Sequence, residues 1–147
     1  MIPMEMTIDA AKVVLADHYK FVLLAQNYHW NVEGPFFSQL HELFGDIYEE
    51  VQGSVDRMAE HIRAMQSYTP ASFKRFSELS SIKDETEQLD ARTMLQRLLD
   101  ANDHLLTNVM VCLTAAQAEG NEGLANFMAE RQEAHKKHAW MLRSTLK

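Results

Sequence analysis

An apolar stripe that starts at Phe37 and runs to Met65 constrains the fold of this chain more than any other feature. Its members recur at steps of three or four residues, which is the period of an amphipathic α-helix. They are Phe37, Leu40, Phe44, Ile47, Val51, Val55, Met58, Ile62 and Met65. The whole chain contains five glycines and three prolines, which is less than half of their usual share of roughly 12%. Few chain-breaking residues favour long helices and argue against a strand-rich sandwich.

Three further long segments share this period. They extend from Thr7 to about Val32, from about Leu89 to Glu119 and from Glu122 to about Leu146, and a short helix is predicted over Ser72 to Leu79. Thr7 is predicted to cap the first helix, with Asp9 in the first turn facing the positive helix end. Gly34 and Pro35 end the first helix, and Gly120 ends the third long helix.

The lengths of the links between these helices predict the topology. The first link has about four residues and the last about two, so each joins antiparallel neighbours. The middle link of about 20 residues is long enough to cross the bundle. We therefore expect an all-α, ferritin-like four-helix bundle with a long crossover that carries a short helix between the second and third helices. At 147 residues, the chain is expected to form a single domain over residues 1–147.

Charge and cysteine content bear on partners and compartment. The chain carries 14 Lys and Arg against 21 Asp and Glu, for a net charge of −7, and its first eleven residues contain no Lys or Arg. Binding to duplex DNA is therefore not expected. The single cysteine, Cys112, excludes a disulfide framework and a thiolate metal cluster within one chain, and it favours a reducing, cytoplasmic compartment. We expect no signal peptide and no membrane span, because the N-terminus lacks a basic start and apolar core, and no apolar run approaches roughly 18 residues.

The spacing of the seven histidines excludes one kind of metal site. Di-iron sites inside a ferritin-like bundle use Glu-x-x-His on two helices, and no histidine here has Glu three residues before it. A second set of candidates remains, because imidazoles and carboxylates suit iron, zinc or manganese. These candidates are His29, His41, Asp56 and Glu60. Asp56 and Glu60 share one helix face, but along one helix His41 and Asp56 lie about 22 Å apart.

Two copies of the second helix can bring these ligands together. If the copies pair antiparallel about a two-fold axis near residue 49 or 50, His41 of one copy faces Asp56 and Glu60 of the other. Two identical sites then form about 25 Å apart, and the dimer is the smallest competent unit. The competing interpretation is that the carboxylates form a solvated helix face and that the histidines cap or pack.

Several motifs of the chain resemble the Dps family, the ferritin-like mini-shells of starved cells. The matching runs are residues 29–37, residues 40–44 with Tyr48, residues 56–62, residues 79–83 in the crossover, and Trp140–Leu142. The resemblance implies a homo-oligomeric shell of twelve subunits with a ferroxidase site at each two-fold interface. By motif position, His29 and His41 match the family's two histidines, and Asp56 and Glu60 match the carboxylates that a neighbouring subunit supplies.

The resemblance also implies a function and an alternative to it. Ferrous iron is expected to be oxidised at these sites by hydrogen peroxide or oxygen and stored as ferric mineral, which protects against oxidative damage. Gly45, however, stands where the family has a carboxylate, and Asp46 reaches the site only if the helix is distorted. The alternative is a non-enzymatic cage that sequesters a divalent metal such as zinc in place of iron.

Four further residues receive accessory roles from the resemblance. Trp30 and Trp140 match tryptophans near the ferroxidase centre that take up stray oxidising equivalents, and ordinary packing is the competing explanation. Glu122 and Glu130 match acidic residues that line the family's three-fold iron-entry pores. Ordinary surface charge is the competing explanation for these two glutamates.

Three of the histidines outside these motifs, and the cysteine, carry separate predictions. His18 is predicted to pack in the core or at the surface, since it lies about 16 Å from His29 along the first helix. His135 and His138 are three residues apart, which suits a surface ion clamp, although paired surface histidines are common without metal. Cys112 is predicted to be a small buried apolar residue.

Overall fold

The computed structural model describes residues 4–147, which form five helices and no strand. The helices are α1 (Met4–Asn31), α2 (Phe37–Ala64), α3 (Phe73–Leu79), α4 (Ala91–Glu119) and α5 (Glu122–Leu146). The predicted four-helix bundle with a short helix in its crossover is confirmed. The first three residues, which open the segment predicted to lack a signal peptide, lie outside the described residues. From residue 4 onward, no helix combines the length and the apolar character that crossing a membrane requires.

The four long helices pack as two hairpins around one apolar core. α1 packs against α2, α4 packs against α5, and contacts between α1 and α4 join the two hairpins. The α2 stripe is buried at seven positions, namely Leu40, Phe44, Ile47, Val51, Met58, Ile62 and Met65. Phe37, the first residue of the stripe, is instead 44% exposed, and its ring stacks on His41. The stripe therefore forms core along most of α2 and contacts the candidate metal site at its start.

Side-chain caps and one left-handed residue define most helix ends. Three polar residues accept a backbone N–H three positions later, as expected of N-caps. They are Ser72 before α3, Asp90 before α4 and Asn121 before α5, at 3.1, 2.7 and 3.1 Å. Gly120 follows α4 with a φ of 84°, a left-handed conformation that glycine adopts without strain. The predicted end of α4 at Gly120 is thus confirmed.

The predicted start of α1 at Thr7 is wrong. The helix begins at Met4, so Thr7 lies inside it and the acidic residue in the first turn is Glu5 rather than Asp9. Thr7 is fully buried, and its hydroxyl donates to the carbonyl of Ala115 on α4 at 3.4 Å. The threonine thus makes a tertiary contact with α4, which local capping rules do not consider.

A buried carboxylate ties the crossover to α1. Asp17 is fully buried and accepts hydrogen bonds from Ser80 Oγ at 2.6 Å and Asn108 Nδ2 at 2.7 Å. Ser80 Oγ in turn accepts from the backbone N–H of Ile82 at 3.1 Å. Burial raises the pKa of Asp17, although the two side-chain hydrogen bonds oppose this effect. One side chain of α1 therefore fixes the start of the crossover and a turn of α4.

Replacing Asp17 by Ala should lower the free energy of unfolding by about 2–3 kcal/mol, because Ser80 and Asn108 lose a buried acceptor. Urea unfolding followed by circular dichroism measures this loss. Asp84→Ala is the matched control. Asp84 lies in the same crossover and pairs with Lys20 of α1, but its side chain is exposed. The control should change stability by no more than about 0.5 kcal/mol. Equal losses in the two variants would contradict an anchoring role for Asp17.

Candidate metal centre

The short link between α1 and α2 brings two histidines into contact. His29 lies in the last turn of α1 and His41 in the first turns of α2. Their rings stack with centroids 3.8 Å apart and planes inclined by 14°. Phe37 stacks on His41 with ring centroids 5.2 Å apart, and the Tyr48 ring lies 5.4 Å from His29. The structure therefore brings the two sequence-predicted imidazoles together within one chain.

Reciprocal hydrogen bonds fix the orientation of both rings. His29 Nδ1 donates to the carbonyl of His41 at 2.6 Å, and His41 Nδ1 donates to the carbonyl of His29 at 2.6 Å. A carbonyl oxygen can only accept, so each Nδ1 carries a proton. In the neutral rings, each Nε2 then has a free lone pair. This is the arrangement that metal-binding histidines adopt, with one nitrogen oriented by a protein acceptor and the other free for the ion.

Gly45 makes room for this pair. A Cβ atom at position 45 would lie 2.9 Å from His29 Cε1 and 3.0 Å from His29 Nδ1, closer than real Cβ contacts allow. Gly45 therefore lets the His29 ring pack directly against α2. Helix α2 is continuous through this position, and Asp46 is exposed on it. No distortion of α2 redirects Asp46, whose accessory role stays a prediction.

The two candidate carboxylates lie elsewhere on the same chain. Asp56 and Glu60 are exposed on α2, and within residues 4–147 neither forms an ion pair with a basic side chain. In the same range, no three His, Cys, Asp or Glu side chains come close enough to hold a metal ion. A single protomer thus presents an imidazole half-site and, separately, a carboxylate pair.

Asp56 borders an open groove that the chain does not fill. The groove has a volume of about 520 Å³ and is lined largely by apolar side chains of α1, α2 and the crossover. They include Tyr19, Leu23, Val55 and Phe73. Phe73 is 77% exposed and Leu23 is 46% exposed. Large apolar side chains clustered at a surface mark a site that another molecule covers.

The accessory residues are all at the surface of the protomer. Trp30 and Trp140 are 61% and 56% exposed, so neither packs in the core of its own chain. Glu130 forms an exposed ion pair with Arg57 at 2.7 Å, and Glu122 is exposed in the first turn of α5. Their proposed roles in electron transfer and iron entry stay predictions.

A largely buried polar network in the bundle, in which only the Glu50 side chain is exposed, at 39%, was not predicted from the sequence. The Arg131 guanidinium forms a bidentate ion pair with Glu50 at 2.6 and 3.0 Å. Its Nε donates to His18 Nε2 at 3.1 Å and its Nη2 to His135 Nε2 at 2.8 Å. His138 Nε2 donates to Glu50 at 2.7 Å. The interpretation of His135 and His138 as a surface pair is wrong, because both side chains are buried. His18 is also buried, which confirms the prediction that it packs in the core rather than at the surface.

Burial and the shared guanidinium determine the ionisation of this network. Burial, together with the charge of Arg131, lowers the pKa of His18 to about 3. Burial likewise lowers the pKa of His135 well below its usual value, aided by His18 and Arg131. Burial alone would raise the pKa of Glu50, but hydrogen bonds from His138 and Arg131 outweigh it and lower that pKa to about 2. At neutral pH the network therefore joins neutral His18 and His135 rings to one ion pair, between buried Arg131 and the exposed Glu50.

Known proteins with related sequences agree with this architecture. The model of the Ferritin-like domain family matches residues 8–147. DNA protection during starvation protein 2 of Bacillus anthracis is 30% identical over 139 residues, which cover 95% of each chain. The DNA protection during starvation protein of Brevibacillus brevis is 31% identical over 120 residues, covering 82% of this chain and 80% of the relative.

A solved structure gives the same result in three dimensions. The Dps protein of Vibrio cholerae O1, described as a member of a broad superfamily of ferritin-like diiron-carboxylate proteins, is 31% identical to this chain. The match covers 97% of this chain and 90% of that one, with a TM-score of 0.92. The family model, the related sequences and the solved structure agree on one family. The chain belongs to the Dps family of ferritin-like proteins.

Proposed function

We propose that this protein oxidises ferrous iron and stores the ferric product. The observation that carries the proposal is the stacked His29–His41 pair, in which reciprocal Nδ1 hydrogen bonds leave both Nε2 atoms free for a metal ion. Two imidazoles beside carboxylates suit iron. Kinship with a protein described as ferritin-like and diiron-carboxylate supports the choice of iron.

The complete site is proposed to form between two copies of the chain. His29 and His41 come from one protomer, and Asp56 and Glu60 come from a second protomer. The two protomers are related by a two-fold axis, about which their α2 helices run antiparallel. The separation of the two half-sites on one chain supports this arrangement, because neither half alone offers an ion enough protein ligands. The exposed apolar groove beside Asp56 supports it as well, since a second copy would cover Leu23 and Phe73. Assembly into a twelve-subunit shell is part of the same proposal and rests on the family.

The proposed residues have different roles in the reaction. The imidazole Nε2 atoms and the carboxylates hold ferrous ions, and the carboxylates also offset the charge gained on oxidation. Two ferrous ions give one electron each to hydrogen peroxide, whose O–O bond breaks to yield two water molecules after uptake of two protons. Oxygen is the other candidate oxidant. Because Gly45 provides no ligand, we expect one ion to be held well and a second to be held weakly, with water in the vacant positions.

Mixing anaerobic ferrous protein with hydrogen peroxide should give a rapid rise in ferric absorbance that His41→Ala slows at least about 10-fold. Loss of one free Nε2 removes a ligand, and it also removes the ring that stacks on His29. His104→Ala is the control, because His104 is an exposed histidine on α4 outside the pair. A wild-type rate equal to that of iron in buffer, or an unchanged rate in His41→Ala, would reject the proposed activity.

A non-oxidising cage for a divalent metal is the second candidate. The position of Gly45 favours it, since packing of His29 against the glycine leaves an imidazole-rich half-site without the family carboxylate. Zinc accepts such ligands readily and has no redox chemistry of its own. Stoichiometric zinc binding that His41→Ala abolishes, together with ferrous oxidation no faster than in buffer, would select this candidate over the first.

A further inference from the structure

Tyr48 lies beside the imidazole pair, on the same face of α2. It follows His41 by seven residues and Gly45 by three, and both steps return to one face of a helix. Helical side chains lean toward the N-terminus of their helix, so Tyr48 leans back toward Gly45, against which His29 packs. The Tyr48 and His29 rings accordingly lie 5.4 Å apart between centroids, with planes inclined by 57°. Tyr48 is therefore the first residue beyond Gly45 on the face that carries the imidazoles.

The Tyr48 ring is held by packing, but its hydroxyl is not engaged. The ring is partly buried against the core. Within residues 4–147 the hydroxyl makes no hydrogen bond. In the same range, Glu119 Oε2 is the sole side-chain atom buried without a partner, so the Tyr48 oxygen is open to solvent. Tyr28, by contrast, donates its hydroxyl to Glu85 at 2.8 Å.

A phenol in this place suits the ferric product better than the ferrous substrate. A neutral phenol is a weak ligand for a divalent ion, whereas a deprotonated tyrosine is a known ligand of iron in haem proteins. A bound cation favours loss of a proton from the groups that coordinate it, and this effect grows with the charge of the ion. The phenol is therefore expected to discriminate between the two oxidation states of iron.

We propose that Tyr48 binds the ferric product as a phenolate and supplies an oxygen ligand that Gly45 does not. The inference rests on the iron oxidation proposed above and names a further ligand at the same site. Once the iron is oxidised, the phenol releases its proton to solvent, its oxygen bonds to the ferric ion beside His29 and His41, and a bound water leaves. Tyr48 thereby slows release of the product, while ferrous iron and zinc are held without it.

Visible spectroscopy of the assembled protein tests this ligand, because a phenolate bound to ferric iron has a charge-transfer band in the visible range. Ferric iron is generated from the ferrous protein with hydrogen peroxide and, separately, supplied as a citrate chelate. Both routes should give the band, and its resonance Raman spectrum should contain the ring vibrations of a tyrosine. Tyr48→Phe should abolish the band and speed loss of ferric iron to a chelator at least about 10-fold.

Tyr68→Phe is the matched control, since it removes the same hydroxyl from a ring of the crossover that is 85% exposed. This variant should keep the band and the slow release of ferric iron. Cobalt affinity should be equal in wild type and Tyr48→Phe, because the phenol stays protonated beside a divalent ion. Cobalt affinity that falls as much as ferric retention would show that Tyr48 only packs against His29, which overturns the proposal.

The two routes to ferric iron separate this proposal from the oxidation itself. Ferrous oxidation no faster than in buffer, together with a tyrosine band from the citrate chelate, would reject the oxidation but support Tyr48 as a ligand. Rapid oxidation without a visible band would leave the oxidation in place and overturn the role of Tyr48. A chelate that gives no band, or a band that survives Tyr48→Phe, overturns that role as well.

Discussion

Lowering the pH from 7 toward 4 should destabilise this bundle steeply, with a slope that approaches two protons, or about 2.7 kcal/mol per pH unit. Burial lowers the pKa of His18 to about 3 and that of His135 well below its usual value. Below pH 6.5 the unfolded chain therefore binds protons at both rings while the native chain does not, so stability falls as the pH falls. Urea unfolding at a fixed protein concentration and a series of pH values measures the slope.

Among the carboxyl groups, Glu50 and Asp17 modify this profile in opposite directions. Glu50, with a pKa of about 2, adds to the loss once the pH falls below about 4.5, where the unfolded carboxyl starts to bind a proton. Asp17 has a pKa raised by burial, so the native state takes up its proton first and gains stability as the pH falls. Asp17 is one group against two histidines, and the net slope keeps its sign.

His18→Gln provides the decisive comparison for the acid transition. Glutamine offers one donor and one acceptor like the neutral imidazole but does not titrate, so the slope between pH 6 and pH 4 should fall by about one proton. His104→Gln removes an exposed histidine and should leave the slope unchanged. A wild-type slope near zero, or equal slopes in wild type and His18→Gln, would contradict neutral buried imidazoles.

Gly45→Ala should weaken metal binding at the His29–His41 pair by about 10- to 100-fold, the usual effect of disturbing groups that support metal ligands. The added Cβ would lie 2.9 Å from His29 Cε1, so the ring must shift, and the shift disturbs its hydrogen bond to the His41 carbonyl. Titration with ferrous iron under anaerobic conditions, or with cobalt, measures the change in affinity.

Gly123→Ala is the control for this substitution. Gly123 also lies in a helix, and a Cβ there meets only Asn121 Oδ1 at an ordinary 3.9 Å. Metal affinity should therefore be unchanged in Gly123→Ala, and an equal loss in both variants would contradict a specific role for Gly45. Gly45→Asp adds the same Cβ, so it is expected to displace His29 while it offers a carboxylate.

Most of the fold follows from local patterns in the sequence. The stripe of α2, the short helix predicted over Ser72 to Leu79 and the helix end at Gly120 each depend on residues close together in the chain, and each is found close to where it was predicted. Thr7 shows the limit of such rules, because its hydroxyl bonds to Ala115, more than 100 residues away. Capping rules consider only the neighbouring residues.

The candidate site could likewise be predicted from the sequence only in part. The sequence identifies His29 and His41, but it gives no information on the reciprocal bonds to their carbonyls, which depend on how α1 meets α2. The buried network was missed for a related reason. Arg131 and His138 fall within the apolar stripe of α5, and this was the available signal, because a buried charged residue needs an opposite charge or hydrogen-bonding partner. Only the packed structure shows that the partner is Glu50 on α2.

Mixing two inactive variants tests most directly whether each site is shared between subunits. Chains with His41→Ala and chains with Glu60→Ala, each inactive alone, are co-assembled in equal amounts, and the rapid rise of ferric absorbance is measured. Half of the pairs then contain one chain of each kind, and each such pair regains one of its two sites, so about a quarter of the wild-type amplitude should return. Mixtures no more active than the separate variants would contradict a site built from His29 and His41 of one protomer and Asp56 and Glu60 of another.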